Sequence, residues 1–397
     1  MAMQSTTGAP RKTAAKAVFW RDPNIRAIFW QVLVVGIVAV LVWLAVRNVT
    51  ENMERQRIAS GFGFLGTESG FDIGDTLIPY DASNTYARAI WVGILNTLRV
   101  AVLGIILATI LGTVIGIGRL SRNFLVAKIC TVYVEMIRNI PLLLQLFVWY
   151  KLLQIYAPRA NEATSHLGIY VSQRGVQLPV PLAHPIHEFM GFAFLLAIAA
   201  TYLVGRWARA RQARTGEQFH TVWTGIGLII GLPLIVWLVG GAPIAMSWPE
   251  FKGFNFVGGA NIAPELTALL IGLTIYTAAF IAEIVRAGIL AVNKGQSEAA
   301  AALGLRSGTT MRLVILPQAL RVIIPPMTSQ YLNITKNSSL AIAIGYPDIV
   351  AILNTTMNQT GQAIEGTLLI MACYLTVSLS ISLFMNWYNK RIALVER

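Results

Sequence analysis

The chain has 397 residues, of which 55% are hydrophobic and only 12% charged, with a mean hydropathy of +0.62. A soluble domain carries about 25% charged residues, so a soluble fold of this composition would lack a polar surface, and the chain reads as an integral membrane protein. The formal net charge of +13 would suggest nucleic acid in a soluble protein, but the basic residues sit in short segments beside apolar runs, where Lys and Arg report topology; no nucleic-acid partner is expected.

Residues 1–27 form a polar tail with Arg11, Lys12 and Lys16. The apolar run Phe29 to Val46 is followed by Arg47-Asn48-Val49-Thr50 rather than a small-residue cleavage site, so it reads as a retained span, not a removed signal peptide. A membrane-spanning helix needs about 20 apolar residues. The stretches 28–47, 92–118, 125–153, 188–205, 221–241, 264–291, 320–344 and 366–388 qualify. Lipid forces each to satisfy its own backbone, so the fold class is an all-α membrane protein of about eight helices. The third and seventh stretches carry charge and proline. The long segments 48–90 and 154–187 are polar and rich in turn formers, such as Gly61, Gly63, Pro179 and Pro181; short helices or caps over the outer face are expected there.

Charge supports this count. With the N-terminus inside, the inner segments hold Arg119, Arg122, Lys128, Arg206, Arg209, Arg211, Arg214, Lys294, Arg306 and Arg312, and the outer ones hold most of the acids, including Glu51, Glu54, Glu68, Asp72, Asp75 and Asp81. That bias places both termini in the cytoplasm. Cys130 and Cys373 lie in apolar segments, and His166, His184, His187 and His220 lie in or beside loops without ligand spacing; neither a disulfide framework nor a metal site is expected.

The inner loop at 294–318 is more than a connection. Residues 297–303 are helix formers behind Ser297, and Gly304 suits a helix end. A second amphipathic stretch runs from Thr309 to Leu316, where Pro317 is expected to interrupt it. Two short helices around a glycine turn can receive a partner surface and pass its push to the adjoining spans.

The pattern Glu298-Ala299-Ala300, Gly304, Val314, Leu316, Pro317 resembles the signature loop of the permease subunits of bacterial ABC importers. In that family the loop is a cytoplasmic coupling helix seated in a cleft of the ATPase subunit. Val314 stands where isoleucine is commoner. Further segments narrow the resemblance to the histidine/glutamate/polar amino-acid branch: Asn96-Thr97-Leu98, Tyr133-Val134-Glu135, Arg138-Asn139-Ile140-Pro141-Leu142-Leu143, Glu283-Ile284-Val285-Arg286-Ala287-Gly288-Ile289 and Lys336-Asn337-Ser338-Ser339-Leu340. The resemblance implies a five-helix type I importer core, made here of spans two, three, six, seven and eight. It divides the chain into a tail (1–27), a first span and outer loop (28–91), a first core part (92–156), an insertion with two extra spans (157–261), a second core part (262–390) and a tail (391–397). Such an insertion is similar to the layout of the broad-specificity general L-amino acid transporters, which pair two different permeases. The implied partners are an ABC ATPase dimer, a second permease, a periplasmic amino-acid-binding protein and the lipid bilayer of a bacterial inner membrane. ATP and Mg²⁺ would belong to the ATPase, and this chain would need no cofactor and have no catalytic residue. It contains no Gly-Lys-Ser/Thr phosphate loop.

Charges at membrane depth are rare and usually functional. Glu135 and Arg138, three apart beside Pro141, either pair locally or help gate a pathway. Tyr276, Phe280 and Glu283 share a helix face. Glu283 either receives a substrate ammonium or pairs with Arg286. Lys336, Asn337, Ser338 and Ser339 either bind a substrate carboxylate or join helices by hydrogen bonds. Prolines 325 and 326 are expected to kink the seventh span. Gly112 with Gly116, and Gly227 with Gly231, are small-residue pairs suited to close packing. The rival function is an ion-driven secondary transporter using Glu283 and Glu135, for which inverted repeats are absent.

Overall fold

A computed structural model describes residues 23–56 and 60–392. The tail residues 1–22 and 393–397, and residues 57–59 of the first outer loop, lie outside the described residues. The first span is α1 (Pro23–Gln56), a lone apolar rod whose most apolar stretch has none of its residues buried in the chain. A polar-capped segment, residues 60–85, then leads into α2 (Tyr86–Gly118).

The third predicted span is two helices, α3 (Phe124–Asn139) and α4 (Leu142–Tyr156), bent by 107°. Pro141 explains the sharpness. Its ring disfavours helical backbone in the preceding residue, and Ile140 is extended (φ −102°, ψ 127°). The carbonyls of Ile137 and Ile140 both accept from the Gln145 side-chain amide at 3.0 Å. Buried backbone acceptors left without partners would be costly, so Gln145 stabilises the break.

The insertion is not purely helical. Strands β1 (Ser165–His166), β2 (Ile169–Ser172), β3 (Gly175–Leu178) and β4 (Val180–Pro181) precede α5 (Pro185–Thr215) and α6 (Thr221–Val239). After α6 come β5 (Met246–Ser247), β6 (Glu250–Lys252), β7 (Asn255–Val257) and β8 (Ala260–Ile262). They form a four-stranded antiparallel sheet, β1-β2-β3-β8, an antiparallel pair β4-β5 that brackets α5 and α6, and a hairpin β6-β7. This corrects the all-α expectation for the outer segments, where runs such as Ile169-Tyr170-Val171 are β-branched or aromatic and bounded by turns, a strand signal. Helices α5 and α6 pack on each other through Gly225 against Thr201 and Trp207 against Phe219. Gly227 and Gly231 meet nothing within the chain, so the packing expected of that pair is absent among the described residues.

The core is centred on α7 (Pro264–Leu290). Of its most apolar stretch 61% is buried, against 6% in α6, so α7 is the helix the others surround. It packs against α2, α3, α4 and the later α10. Gly112 and Gly116 let α2 come close: a Cβ at Gly112 would lie 2.6 Å from Ile281 Cβ, and one at Gly116 2.7 Å from the Ala282 carbonyl. That contact is the expected role of this pair, since small residues allow helix backbones to approach.

After α7 come α8 (Lys294–Ala302), α9 (Ser307–Thr310), one π-helical turn (Met311–Ile315), α10 (Leu316–Asn337) and a 3₁₀ segment (Ser338–Ile344). The last elements are α11 (Ile349–Thr360) and α12 (Ala363–Ile392). Pro317 does not stop the helical run. Leu316 N–H bonds to the Met311 carbonyl, a π-type step, and the chain continues into α10. Nor does the run end at Pro325 and Pro326, which lie inside α10. The bend of 54° comes instead between the 3₁₀ segment and α11, where Gly345 adopts φ +84° and Pro347 lacks a donor. Among the described residues six helices are long and apolar enough to cross a membrane, or up to eight spans if each bent pair is one span.

Residues 60–85 settle on the end of the bundle opposite α8. Phe64, Phe71, Ile73, Ile78 and Tyr80 pack on α2 and α11. Asn96 donates to the carbonyls of Asp75 at 2.8 Å and Pro347 at 2.9 Å, and Arg99 pairs with Asp75 at 3.0 Å. Thr97 Oγ1 accepts from Ile349 N–H at 3.1 Å, and buried Asp348 caps α11 through Ala351 N–H at 2.8 Å. The break after α10 is therefore tied to α2 and to the outer segment.

Candidate functional site

The loop singled out by sequence is a stiff helical knob. The residue that starts α8 is Asn293, whose side chain accepts from Gly295 N–H at 2.8 Å; Ser297, expected as the cap, lies inside the helix. The helix ends as a Schellman turn. Leu305 N–H donates to the Ala300 carbonyl at 3.1 Å, Gly304 N–H donates to the Ala301 carbonyl at 2.9 Å, and Gly304 holds φ +72°. Both ends of a nine-residue helix are thus tied by hydrogen bonds, which matters because isolated helices this short are unstable in water.

Ala300 faces inward, 3% exposed, and α8 packs on the π-turn Met311–Ile315. Glu298 and Ala299 are exposed. Beyond them Leu303 is 80% exposed and Leu313 64% exposed. Two large apolar side chains on this loop are thus left uncovered among the described residues, as is the Glu298 carboxylate, which suits a surface that meets a partner. Three residues join α7 to α8, and α9, the π-turn and α10 form one helical run. Leu316 and Pro317 sit at the head of α10, where Gln318 reaches back to Gln296 in α8 at 3.4 Å. The helix α8 is therefore joined to α7 on one side and touches the head of α10 on the other.

Just inside the knob lies a charge cluster that pattern reading found only in part. Glu283 binds Arg286 at 2.6 Å, the pairing expected from spacing, and also binds Arg119, the residue that ends α2. Arg119 is 10% exposed and Glu283 28% exposed, so the bridge joins the ends of α2 and α7 in a largely dry setting. Arg119 lies 164 positions from Glu283, beyond the reach of any local spacing rule. A substrate ammonium reaching Glu283 would compete with two guanidiniums.

The expected Glu135–Arg138 pair does not form. Arg138 instead stands 5.1 Å over the Phe280 ring, and Phe280 lies 5.0 Å from Tyr276. An exposed guanidinium gains from the quadrupole of a ring face, and α3 packs against α7, which carries that ring. The result is a row across two helices: Arg138, Phe280, Tyr276, with Glu135 exposed on α3. Lys336 is exposed at the end of α10. Ser338 and Ser339 donate their hydroxyls to the carbonyls of Thr335 and Lys336, both at 2.7 Å. Asn337 closes α10. The structure brings Tyr276, Phe280 and Arg138 together, and no ring contact, ion pair or side-chain hydrogen bond joins them to Lys336–Ser339 among the described residues.

Sequence comparison adds a family. Residues 102–394 match the family described as binding-protein-dependent transport system inner membrane component. The general L-amino acid transport system permease protein AapQ of Rhizobium johnstonii is 53% identical over 377 residues, covering 95% of this chain and 94% of that protein. The putative amino-acid ABC transporter permease protein YhdX of Escherichia coli is 47% identical over 392 residues, covering 98% and 99%. The glutamate/glutamine/aspartate/asparagine transport system permease protein BztB of Rhodobacter capsulatus is 46% identical over 413 residues, covering 95% and 96%.

Proposed function

The chain belongs to the family of binding-protein-dependent transport system inner membrane components, and from that premise we propose that it is the membrane-spanning permease subunit of an ABC importer for L-amino acids. The observation that carries the mechanism is α8, a capped helix with an uncovered adhesive face, inserted between two helices of the core. A separate ATPase dimer grips that face, with Glu298 and Leu303 at the contact and Gly304 holding the turn. Closure of the ATPase pushes α8, and α7 and α10 carry the push to the pathway.

In this reading α8 and both termini lie in the cytoplasm, and residues 60–85 and the strands β1–β8 face the periplasm, where a soluble amino-acid-binding protein delivers substrate. A second permease completes the pathway. Tyr276, Phe280 and Arg138 form one wall, Arg138 offering a cation to the substrate carboxylate, while Glu135 and Lys336–Ser339 line the same route. Glu283 is a clamp between α2 and α7. Amino acids as the cargo are supported by relatives that are named as amino-acid transport permeases and match the chain along nearly its whole length.

Uptake of a labelled amino-acid mixture into vesicles carrying the complete complex tests this. Uptake is expected only with the binding protein outside and hydrolysable ATP inside, and vanadate inside is expected to stop it. Uptake sustained by an ion gradient without nucleotide would establish the secondary-transport alternative instead.

A further inference from the structure

We propose that the end of the molecule opposite α8 carries a binding site for the phosphate headgroup of an anionic phospholipid, between the end of α4 and the tips of the β2–β3 and β6–β7 turns. A cavity of about 450 Å³ there is lined by Arg159, Asn161, Gln173, Arg174, Phe251 and Phe254, among others. Gln173 N–H donates to the Pro158 carbonyl at 2.9 Å, which pins the β2–β3 turn to the chain leaving α4. Arg159 and Arg174 therefore share one cavity although 15 residues apart.

Neither guanidinium has a carboxylate within ion-pair distance among the described residues. Glu250, the acid on β6, is taken by Lys252 at 2.9 Å. Two guanidiniums without carboxylate partners on one cavity repel each other, and a phosphate accepting from both would offset that repulsion with charge-assisted hydrogen bonds. The Asn161 and Gln173 amides add neutral donors.

The height of the site selects the lipid over a soluble anion. Arg159 is the third residue past Tyr156, where α4 ends. Ile155 and Tyr156 on that last turn are 67% and 78% exposed, and Phe254 at the β6–β7 tip is 90% exposed. Exposed aromatic rings beside basic residues, at the end of a helix in a broken span, match the headgroup level of a bilayer, where such rings partition and basic residues snorkel to phosphate. A ring open to water at that height has no reason to stay exposed, whereas acyl chains beneath the headgroups would cover it.

Native mass spectrometry on the full-length chain, with any subunits that co-purify, in micelles holding equal phosphatidylglycerol and phosphatidylcholine tests the site. The wild type is expected to retain phosphatidylglycerol in preference. The pair Arg159→Gln and Arg174→Gln should lower that affinity about fivefold per arginine, the effect of one basic residue near an anionic surface, with phosphatidylcholine retention unchanged. Arg159→Lys with Arg174→Lys should keep part of the preference, since lysine still meets phosphate as a point charge. Thermal unfolding in phosphatidylcholine alone, equal for all three proteins, shows that the loss is not misfolding. An unchanged preference in the glutamine pair overturns the proposal. So does displacement of the lipid by millimolar inorganic phosphate, which would mark a free-anion site. Loss of binding-protein capture with lipid retention intact would mark an acidic protein partner, and overturns it equally.

Discussion

Replacing Gly304 with proline is expected to leave the chain folded and inserted while reducing ATP-driven uptake by about tenfold or more, the effect of losing about 1.4 kcal/mol or more of docking free energy. Two losses coincide. Proline fixes φ near −65°, and Gly304 sits at +72°. Its N–H also donates to the Ala301 carbonyl, a bond proline cannot make. The C-terminal turn of α8 then frays, and Leu303 and Glu298 no longer present one surface. A Cβ at Gly304 would meet nothing within 4 Å, so sterics with the rest of the chain are not the issue. The substitution series isolates the backbone: Gly304→Asn, which tolerates this conformation, should retain most uptake, Gly304→Ala should lose part of it at about 1 kcal/mol of strain, and proline should lose nearly all. The ATPase should keep its basal rate in every case and lose stimulation by loaded binding protein in the same order. An identical uptake rate across the series would mean that the turn has no part in coupling.

Glu283→Gln is expected to destabilise the folded chain by about 2 kcal/mol and to depress uptake of acidic, neutral and basic amino acids alike. Breaking a fully buried ion pair costs about 3–5 kcal/mol. Here Glu283 and Arg286 are 28% and 32% exposed and only Arg119 is deeply buried, at 10%, so screening reduces the figure. What remains is the burial of Arg119 without its carboxylate and the repulsion between Arg119 and Arg286. A double-mutant cycle with Arg119→Leu and Glu283→Leu, read by thermal unfolding in mild detergent, should return a coupling of about 1–2 kcal/mol. Uniform loss of transport together with that coupling identifies a clamp that keeps α2 moving with α7. A change confined to one substrate class, with unaltered stability, would instead make Glu283 a substrate ligand.

The sequence was most legible where a physical rule acts over a few residues. Apolar length located the spans, Gly304 announced a helix end, Gly112 and Gly116 announced close packing, and the Glu283–Arg286 pair was one of the two readings that helical spacing left open. It was least legible where the deciding contact is distant. Arg119 reaches Glu283 across the core, and Arg138 stands over the Phe280 ring of a neighbouring helix rather than pairing with Glu135 on its own. Proline was the least transferable signal. Pro141 breaks its helix, yet Pro317 is absorbed by a π-turn and Pro325 and Pro326 lie within α10, because a lost donor breaks a helix only where neighbouring backbone cannot be re-satisfied. The Asp348 cap was readable in principle, as an Asp directly before an apolar helical run. The strands of the insertion are short enough that turn-rich composition hid them.

These parts describe one mechanical path. An uncovered helix, tied at Asn293 and Gly304, sits between α7 and α10; α7 is the helix around which the core packs, and the Arg119–Glu283 bridge recruits α2. Under the proposed coupling, a push on α8 would therefore bear on three core helices.

Chemical cross-linking at Ala301 tests this path most directly. A cysteine there, in a chain with Cys130 and Cys373 replaced by serine, is expected to be sealed from membrane-impermeant thiol reagents added to the periplasmic side. In the assembled complex it should be joined by a short bismaleimide to a single cysteine introduced into the facing cleft of the ATPase, each maleimide adding one thiol, with a yield that changes when ATP is trapped by vanadate. Labelling from the periplasmic side, or a yield indifferent to nucleotide, would contradict the account.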